Sequence, residues 1–444
     1  MKIMTTDLQP LKGTKGEIPV DLLVPPSPKL WETTPGNLIT YTDVVSDPMD
    51  PSGQLKVPNP LTVTVDALRL AKEQKGLLSA AHALLGQMYD EKKQPTGKPA
   101  YVFGGEAAQH GDQSLPVLLI NAGNAGFDVM QPSGNHIDLA RCADDAAYCD
   151  WVKQVHVSSG IPLLSVSVHM DGYFLFSVTH VKRARAIWGQ KFEGTDEQLQ
   201  ELLLHRMAKI LIGAARLGVR VLHLFFGQPG EVPYYGWPFH EKNGANVAAM
   251  RQRFYDIMNR LLPLAKLLGI YLCHEIHFGT IALNADDYIF VWKQLGCPDN
   301  LCLGFDPSHF WHGEPWWVAL DKLRAAGIKV VVAHFKQAVL LDGRPTLGLD
   351  HDDRRRGMMF SSLDATSGIV DMNLYAGQLT LPGTGLAEFW HQVCNLPIPG
   401  YAEAEDPHWN TWDILVRGVG YLQRTIGPMR LAQAHFTEAM ALKA

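Results

Sequence analysis

The sequence predicts an α/β fold, a (β/α)8 TIM barrel carrying an N-terminal extension and a long insert after the sixth or seventh strand. Two observations lead there. From about residue 115, short β-branched runs alternate with longer helical stretches, which implies a parallel sheet. Seven such runs are clear and an eighth is ambiguous, which suits an eight-stranded barrel of roughly 250 residues or more within a chain of 444.

In order, the runs are LPVLLINAG (115–123), FDVM (127–130, the ambiguous one), IPLLSVSVHM (161–170), VRVLHLFFG (219–227), IYLCHEIHFG (270–279), LCLGFDPSHF (301–310), IKVVVAHFK (328–336) and GYAEAED (400–406). Helical spacing is read over 197–217, 245–268, 284–295, 315–326, 384–396 and 411–426. An open doubly wound sheet would need a glycine-rich phosphate loop after its first strand; NAGNAGF lacks the G-x-G-x-x-G spacing. Ahead of the barrel, residues 1–62 are rich in proline and glycine and read as an extended arm packed on the body, with Trp31 and the LLVP cluster as its apolar grip. The stretch 64–94 has helical spacing, with Thr64 as a candidate N-cap. The expected division is 1–110 for arm and helix, 111–430 for the barrel and 431–444 for a tail.

Composition narrows the function. Lysine and arginine total 39 against 45 aspartate and glutamate, a net charge of −6, which argues against a nucleic-acid surface. No apolar run reaches the ~18 residues of a membrane span, and MKIMTTDLQPLKG has no apolar signal region. None of the six cysteines (142, 149, 273, 297, 302, 394) forms a C-x-x-C pair, as expected of reduced thiols in a cytoplasmic protein. The expected partner is a small molecule, with neither nucleic acid nor membrane. The arm and tail offer contacts for a homo-oligomer, an expectation that a monomeric mass by light scattering would end.

Four runs end in residues able to bind a metal: Glu275 and His277, Asp306 and His309, His334 and Lys336, Glu403 and Glu405. Residues i and i+2 of a strand share a face, and barrel active sites lie at the C-terminal strand ends. A mixed oxygen and nitrogen set suits Mn, Mg, Co or Zn better than a thiolate-seeking metal.

HEIHFG, GFDPSHFWHGEP, VVVAHFKQ, GTGLAEFW and GYAEAEDP, in that order, resemble the sugar phosphate isomerase/epimerase family, with its xylose isomerase-like TIM barrel. The family strings are E-x-H-P-G, D-P-S-H, H-x-H-x-K-D, G-x-G and E-H-E-D-P, and the resemblance spans about 115–425. It departs at Phe278, where the family has proline, and at Val332 and Gln337, where it has histidine and aspartate. The resemblance implies one divalent ion, Mn first, with Glu275, Asp306, His334 and Glu403 as ligands. It implies that Glu275 and Glu403 are also the catalytic acid/base pair, and that His309 contacts substrate. Such an ion, as a Lewis acid, polarises a carbonyl and acidifies the neighbouring C–H, and a carboxylate takes the proton. Return of the proton to the adjacent carbon is isomerisation; return to the same carbon is epimerisation.

Further substrate contacts are expected from His277, His169, Lys336 (beside a developing oxyanion), and Trp237 and His240 in the loop that follows Gln228 and Glu231. Trp311, Trp316 and Trp317 are candidates for a sugar platform, and Arg354, Arg355 and Arg356 for an anion site. Glu405 is an alternative ligand. Three other functions stand beside the isomerase. One is a lyase or hydrolase that uses the same enolisation on a 3-keto glycoside. Another is a three-metal DNA-repair endonuclease, against which Asp350-His351-Asp352 has the wrong spacing. The last is a catalytically inert barrel that binds no metal.

Overall fold

The computed structural model describes residues 15, 17–26, 38–40, 62–64, 77–176, 196–227, 241–277, 280–310, 314–340, 358–405 and 410–430. Eight parallel strands form the central sheet: β1 Tyr101–Glu106, β2 Val129–Gln131, β3 Ser165–Ser167, β4 Val221–Leu224, β5 Tyr271–Glu275, β6 Leu301–Phe305, β7 Val330–Phe335 and β8 Ile398–Ala402. The spatial order β2-β1-β8-β7-β6-β5-β4-β3 is that of a barrel. Between β2 and β3 the ring closes by backbone bonds, from Ser167 N–H to the Pro132 carbonyl at 2.9 Å and from Gly134 N–H to the Ser167 carbonyl at 2.8 Å.

The strand period sorts each run into an outer and an inner face. On β1, Tyr101 and Phe103 face the helices, where the Tyr101 hydroxyl donates to the Ala376 carbonyl at 2.8 Å and Phe103 meets Phe335 edge-on at 5.5 Å. Val102, Gly104 and Glu106 therefore face the interior. Glycine at 104 is a packing requirement, since a Cβ there would overlap the Val129 carbonyl. Gly105, on the outer face, lets Leu415 of helix Thr411–Thr425 lie against the strand.

The run 115–123, expected as the first strand, is instead the helix Leu115–Asn124. A short apolar run does not distinguish strand from helix by period alone. What decides here is Pro116 in the first turn and a buried stripe of Leu115, Leu118, Leu119 and Ala122. The first strand precedes residue 111, so the barrel starts at Tyr101 rather than at 111. Of the helix expected over 64–94, Leu78–Leu85 is helical, whereas Thr64 lies in a short antiparallel pair, Leu38–Thr40 with Thr62–Thr64. The other helical stretches appear as Asp196–Leu217, Glu241–Leu267, Ala285–Gln294, Trp316–Ala326 and Thr411–Thr425, and 384–396 contains a π-helical turn at Glu388–Val393.

Part of the arm is seated on the barrel. Trp151 Nε1 donates to the Leu22 carbonyl at 2.9 Å, and Arg141 to the Pro26 carbonyl at 2.7 Å. Trp31 and the tail 431–444 lie outside the described residues. The insert follows β7, where Gln337–Leu340 pairs with Met358–Ser361 as an antiparallel hairpin.

Candidate active site

Every barrel strand contributes a polar side chain within one residue of its C-terminal end: Glu106, Gln131, Ser167, His223, Glu275, Asp306, His334 and Glu403, in order from β1 to β8. Their sequence neighbours on the strands are apolar apart from His274, which is buried and stacks on Phe226. Glu275, Asp306, His334 and Glu403 converge, each offering a ligand atom within 4.8 Å of the others. His169, His223 and Glu275 form a second such group that shares Glu275.

Hydrogen bonds tie the first group together. His334 Nδ1 lies 3.0 Å from Glu403 Oε2, and its Nε2 lies 2.9 Å from Gln131 Oε1. Since Gln131 presents an acceptor, Nε2 carries a proton. Gln131 in turn donates to Ser165 Oγ at 2.8 Å, and Ser165 to the Tyr401 hydroxyl at 2.9 Å. His309 Nε2 donates to Glu275 Oε1 at 3.0 Å and lies 3.1 Å from Asp306 Oδ2. His223 Nε2 comes within 3.0 Å of Glu275 Oε2 but off the line of a hydrogen bond. Lys336 Nζ donates to Glu403 Oε1 at 3.1 Å, pairs with Glu405 at 2.7 Å and stands 3.7 Å from Asp306. Asp306 is aimed by its own turn, with Oδ1 accepting from Ser308 N–H at 2.8 Å.

Burial and mutual charge set the protonation states. Burial pushes Glu275 up, but the His223 and His309 rings overcome it and hold the carboxyl well below the usual carboxylate range. Burial likewise opposes ionisation of Glu403 and Asp306; Lys336 and His334 bring the first well down, and His309 and Lys336 the second. For His309, burial works against the charged ring, yet Asp306 and Glu275 raise it to about 10. For His334, Glu403 and Glu275 likewise overcome burial and raise it to about 9. Burial and the neighbouring rings keep His169 and His223 low. Glu106 is pushed up to about 8 by burial and by Glu403.

The donor set fits a divalent cation. Three carboxylates and one imidazole converge, and Glu275 Oε2 and Asp306 Oδ2 are buried without a hydrogen bond among the described residues. Buried carboxylate oxygens left in that state are costly unless a charge meets them. Lys336 and the two raised histidines supply positive charge of the kind such an ion would bring.

Of the other expected residues, His169 and His277 stand at the mouth. His169 stacks on Phe225 at 4.1 Å, and His277 is 4.8 Å from Phe225 and 4.5 Å from His309. The insert delivers Phe360, whose ring lies 4.1 Å from Lys336 Nζ and edge-on to His309 at 5.8 Å. Trp316 is buried against Tyr375 and presents no open face to a sugar; Trp317 is exposed beside it. Gln228, Glu231, Trp237, His240, Trp311, Arg354, Arg355, Arg356 and Asp350-His351-Asp352 lie outside the described residues. Sequence reasoning missed Glu106, Gln109, Gln131 and His223. His223, in VRVLHLFFG, carried a signal as a lone histidine near the end of an apolar strand; Glu106 ends YVFGGE, which lies ahead of the region read as strands.

The family model described as "Xylose isomerase-like TIM barrel" matches residues 120–381, more than half of the chain, and the chain belongs to that family. Among solved structures, it is similar to a xylose isomerase domain protein from Planctomyces limnophilus, at 18% identity and a TM-score of 0.46, over 74% of this chain and 99% of that one. It is also similar to the apo form of 3-keto-D-glucoside 4-epimerase from E. coli, at 13% identity and a TM-score of 0.47, over 73% and 99%. A third is a xylose isomerase-like TIM barrel protein from Mycobacterium smegmatis in complex with magnesium, at 13% identity and a TM-score of 0.46, over 74% and 98%. Comparison with curated proteins gives no match.

Proposed function

We propose that this chain is a divalent-metal-dependent sugar isomerase or epimerase that moves a proton alpha to a carbonyl. The observation that carries this reading is the convergence of Glu275, Asp306, His334 and Glu403 at the ends of β5 to β8, with two carboxylates available for proton transfer. Glu275, Asp306, His334 and Glu403 hold the ion, Mn first, with Mg, Co or Zn as alternatives. When bound, it polarises the substrate carbonyl and acidifies the neighbouring C–H. One of Glu275 and Glu403 takes that proton, and the other returns a proton to the adjacent carbon or to the same one. Both are buried and held as carboxylates, the form a base requires. His309 donates to a substrate oxygen, and Lys336 lies where an oxyanion would gain from a fixed positive charge. His169, His277 and Phe225 form an aromatic wall for the carbon face of a sugar.

Two measurements test the proposal. Plasma mass spectrometry of the purified protein should give about one divalent metal per chain, lost in the His334→Ala, Glu403→Ala double variant. Deuterium from D2O should then enter the sugar that is turned over. No metal after reconstitution would sink the assignment. Release of a leaving group from a 3-keto glycoside in place of exchange would turn the reading to the lyase or hydrolase form. Two or more ions per chain, drawing on His169 and His223, would favour multi-metal phosphoester chemistry.

A further inference from the structure

We propose that Glu106, with Gln109 beside it, forms a hydroxyl-binding subsite on the β1 side of the barrel mouth. There it positions an unphosphorylated end of the substrate away from the carbons that exchange protons. This rests on the sugar reading above and goes further, by assigning a substrate class to a part of the site that holds no proposed metal ligand.

Strand register places the carboxyl. Gly105 pairs with Ala402, which sets Glu106 level with Glu403, and Glu106 pairs directly with Gln131 on the other side. Side chains in register on parallel neighbours project to one face, and both Glu403 and Gln131 reach His334 on the interior face. Glu106 thus enters the barrel between them, almost fully buried. Its Oε2 accepts from Ala108 N–H at 2.7 Å, while Oε1 is buried with no hydrogen-bond partner among the described residues.

Gln109 repeats the pattern one turn on. Its Nε2 donates to Glu403 Oε1 at 2.9 Å and to Glu405 Oε1 at 3.0 Å. Only the nitrogen of an amide can donate to a carboxylate, so this fixes its orientation. Its Oε1 is buried with no hydrogen-bond partner among the described residues. An unsatisfied buried polar atom costs about 1–3 kcal/mol, and two of them at one strand end call for a ligand that meets them.

The chemistry of that ligand is restricted. The Gln109 oxygen only accepts, so its partner donates. A hydroxyl serves it, and serves Glu106 in either protonation state, donating to a carboxylate or accepting from a carboxylic acid. A carbonyl cannot serve the amide oxygen. A phosphate dianion has no proton to donate to the Gln109 oxygen, and Lys336, the cation beside Glu403 and Glu405, is already engaged by both.

The test is direct binding to the Mn(II)-loaded protein. Ligand-observed NMR against free ketopentoses and ketohexoses identifies the tightest binder; titration then compares it with its monodeoxy analogues and its monophosphate. For wild type, the free sugar should bind at least about tenfold tighter than the monophosphate, and one deoxy analogue should lose about tenfold. Glu106→Leu should weaken the free sugar about tenfold and bind that deoxy analogue as wild type does, whereas Glu106→Gln, which keeps a hydrogen-bonding group, should stay near wild type. Equal binding of the free sugar by Glu106→Leu, with Mn(II) affinity unchanged, would overturn the subsite and leave the sugar reading standing. Tighter binding of the monophosphate would also overturn it. If wild type bound none of the sugars, the subsite and the sugar reading would fall together. Should Glu106→Leu not fold, Gln109→Leu takes its place, with the same loss expected and unchanged binding counting against the proposal.

Discussion

Gly304 has no side chain because His223 occupies the space one would need: a Cβ on Gly304 would overlap the imidazole. The two face each other in the interior, and His223 stands 3.0 Å from Glu275. Gly304→Ala should therefore cost about 1–3 kcal/mol from overpacking and shift His223 away from Glu275. Urea unfolding would record the first effect and a crystal structure the second; an unchanged midpoint would show that the strand yields freely. Protonation at the same cluster gives a pH prediction for the metal-free protein. His309 and His334 are raised in the folded state to about 10 and about 9, above the ordinary histidine value. Their contribution to stability is complete below that ordinary value and is lost as pH rises through 9 to 10. Glu106, raised to about 8, acts in the same direction. Glu275, Asp306 and Glu403 are lowered, so their contribution holds above the usual carboxylate range and is lost as acid protonates them in the fold. An ion bound to His334 Nδ1, with Nε2 held by Gln131, must expel one proton. Calorimetry of Mn(II) binding in two buffers of different ionisation enthalpy should show proton release between about pH 6.5 and 9; its absence would mean that His334 is not a ligand.

The elements differ in how far their sequences disclosed them. β5 to β8 were legible because each ends an apolar run with a ligand-type side chain, and Glu275, Asp306, His334 and Glu403 do converge. β1 was not, because the strand rhythm was read only from about residue 115; its Gly104 and Gly105 are there for close packing against Val129 and Leu415. The helix Leu115–Asn124 was read as a strand because nine apolar or small residues in sequence carry no period. The insert hairpin could not have been read either, since its link to the site runs through tertiary contacts. Gln337 anchors it, donating to the Val370 carbonyl at 2.8 Å and accepting from Val370 N–H at 2.9 Å. That anchoring sets Phe360 against Lys336 and His309. Phe360→Ala should remove a cation–π contact worth about 1 kcal/mol and a face for substrate carbon. The expected kinetic result is a KM raised about fivefold with kcat nearly unchanged, read from deuterium exchange. A fall in kcat alone would instead place Phe360 in the orientation of Lys336.

At the scale of the whole molecule, the barrel brings eight strand ends that are distant in sequence into one polar centre, and so concentrates like charges. Glu275, Asp306 and Glu403 come from β5, from the end of β6 and from the end of β8, and His334 from β7. Any ion they share links four consecutive staves of the barrel. Binding to the folded state alone stabilises it by about 2.7 kcal/mol when the free ion is at one hundred times its Kd. Stripping the metal with a chelator should therefore lower the unfolding midpoint, and restoring Mn(II) should return it. In the His334→Ala, Glu403→Ala double variant, neither treatment should move it. The gain should also be local: amide exchange should slow over 271–275, 301–305, 330–335 and 398–402, and less over β2 and β3, which supply no ligand and whose seam is closed by backbone bonds around Ser133 and Ser167. Protection spread evenly over all eight strands would mean that the ion stabilises the chain without bridging these four. Protection confined to β3, β4 and β5 would move the metal to the neighbouring group of His169, His223 and Glu275.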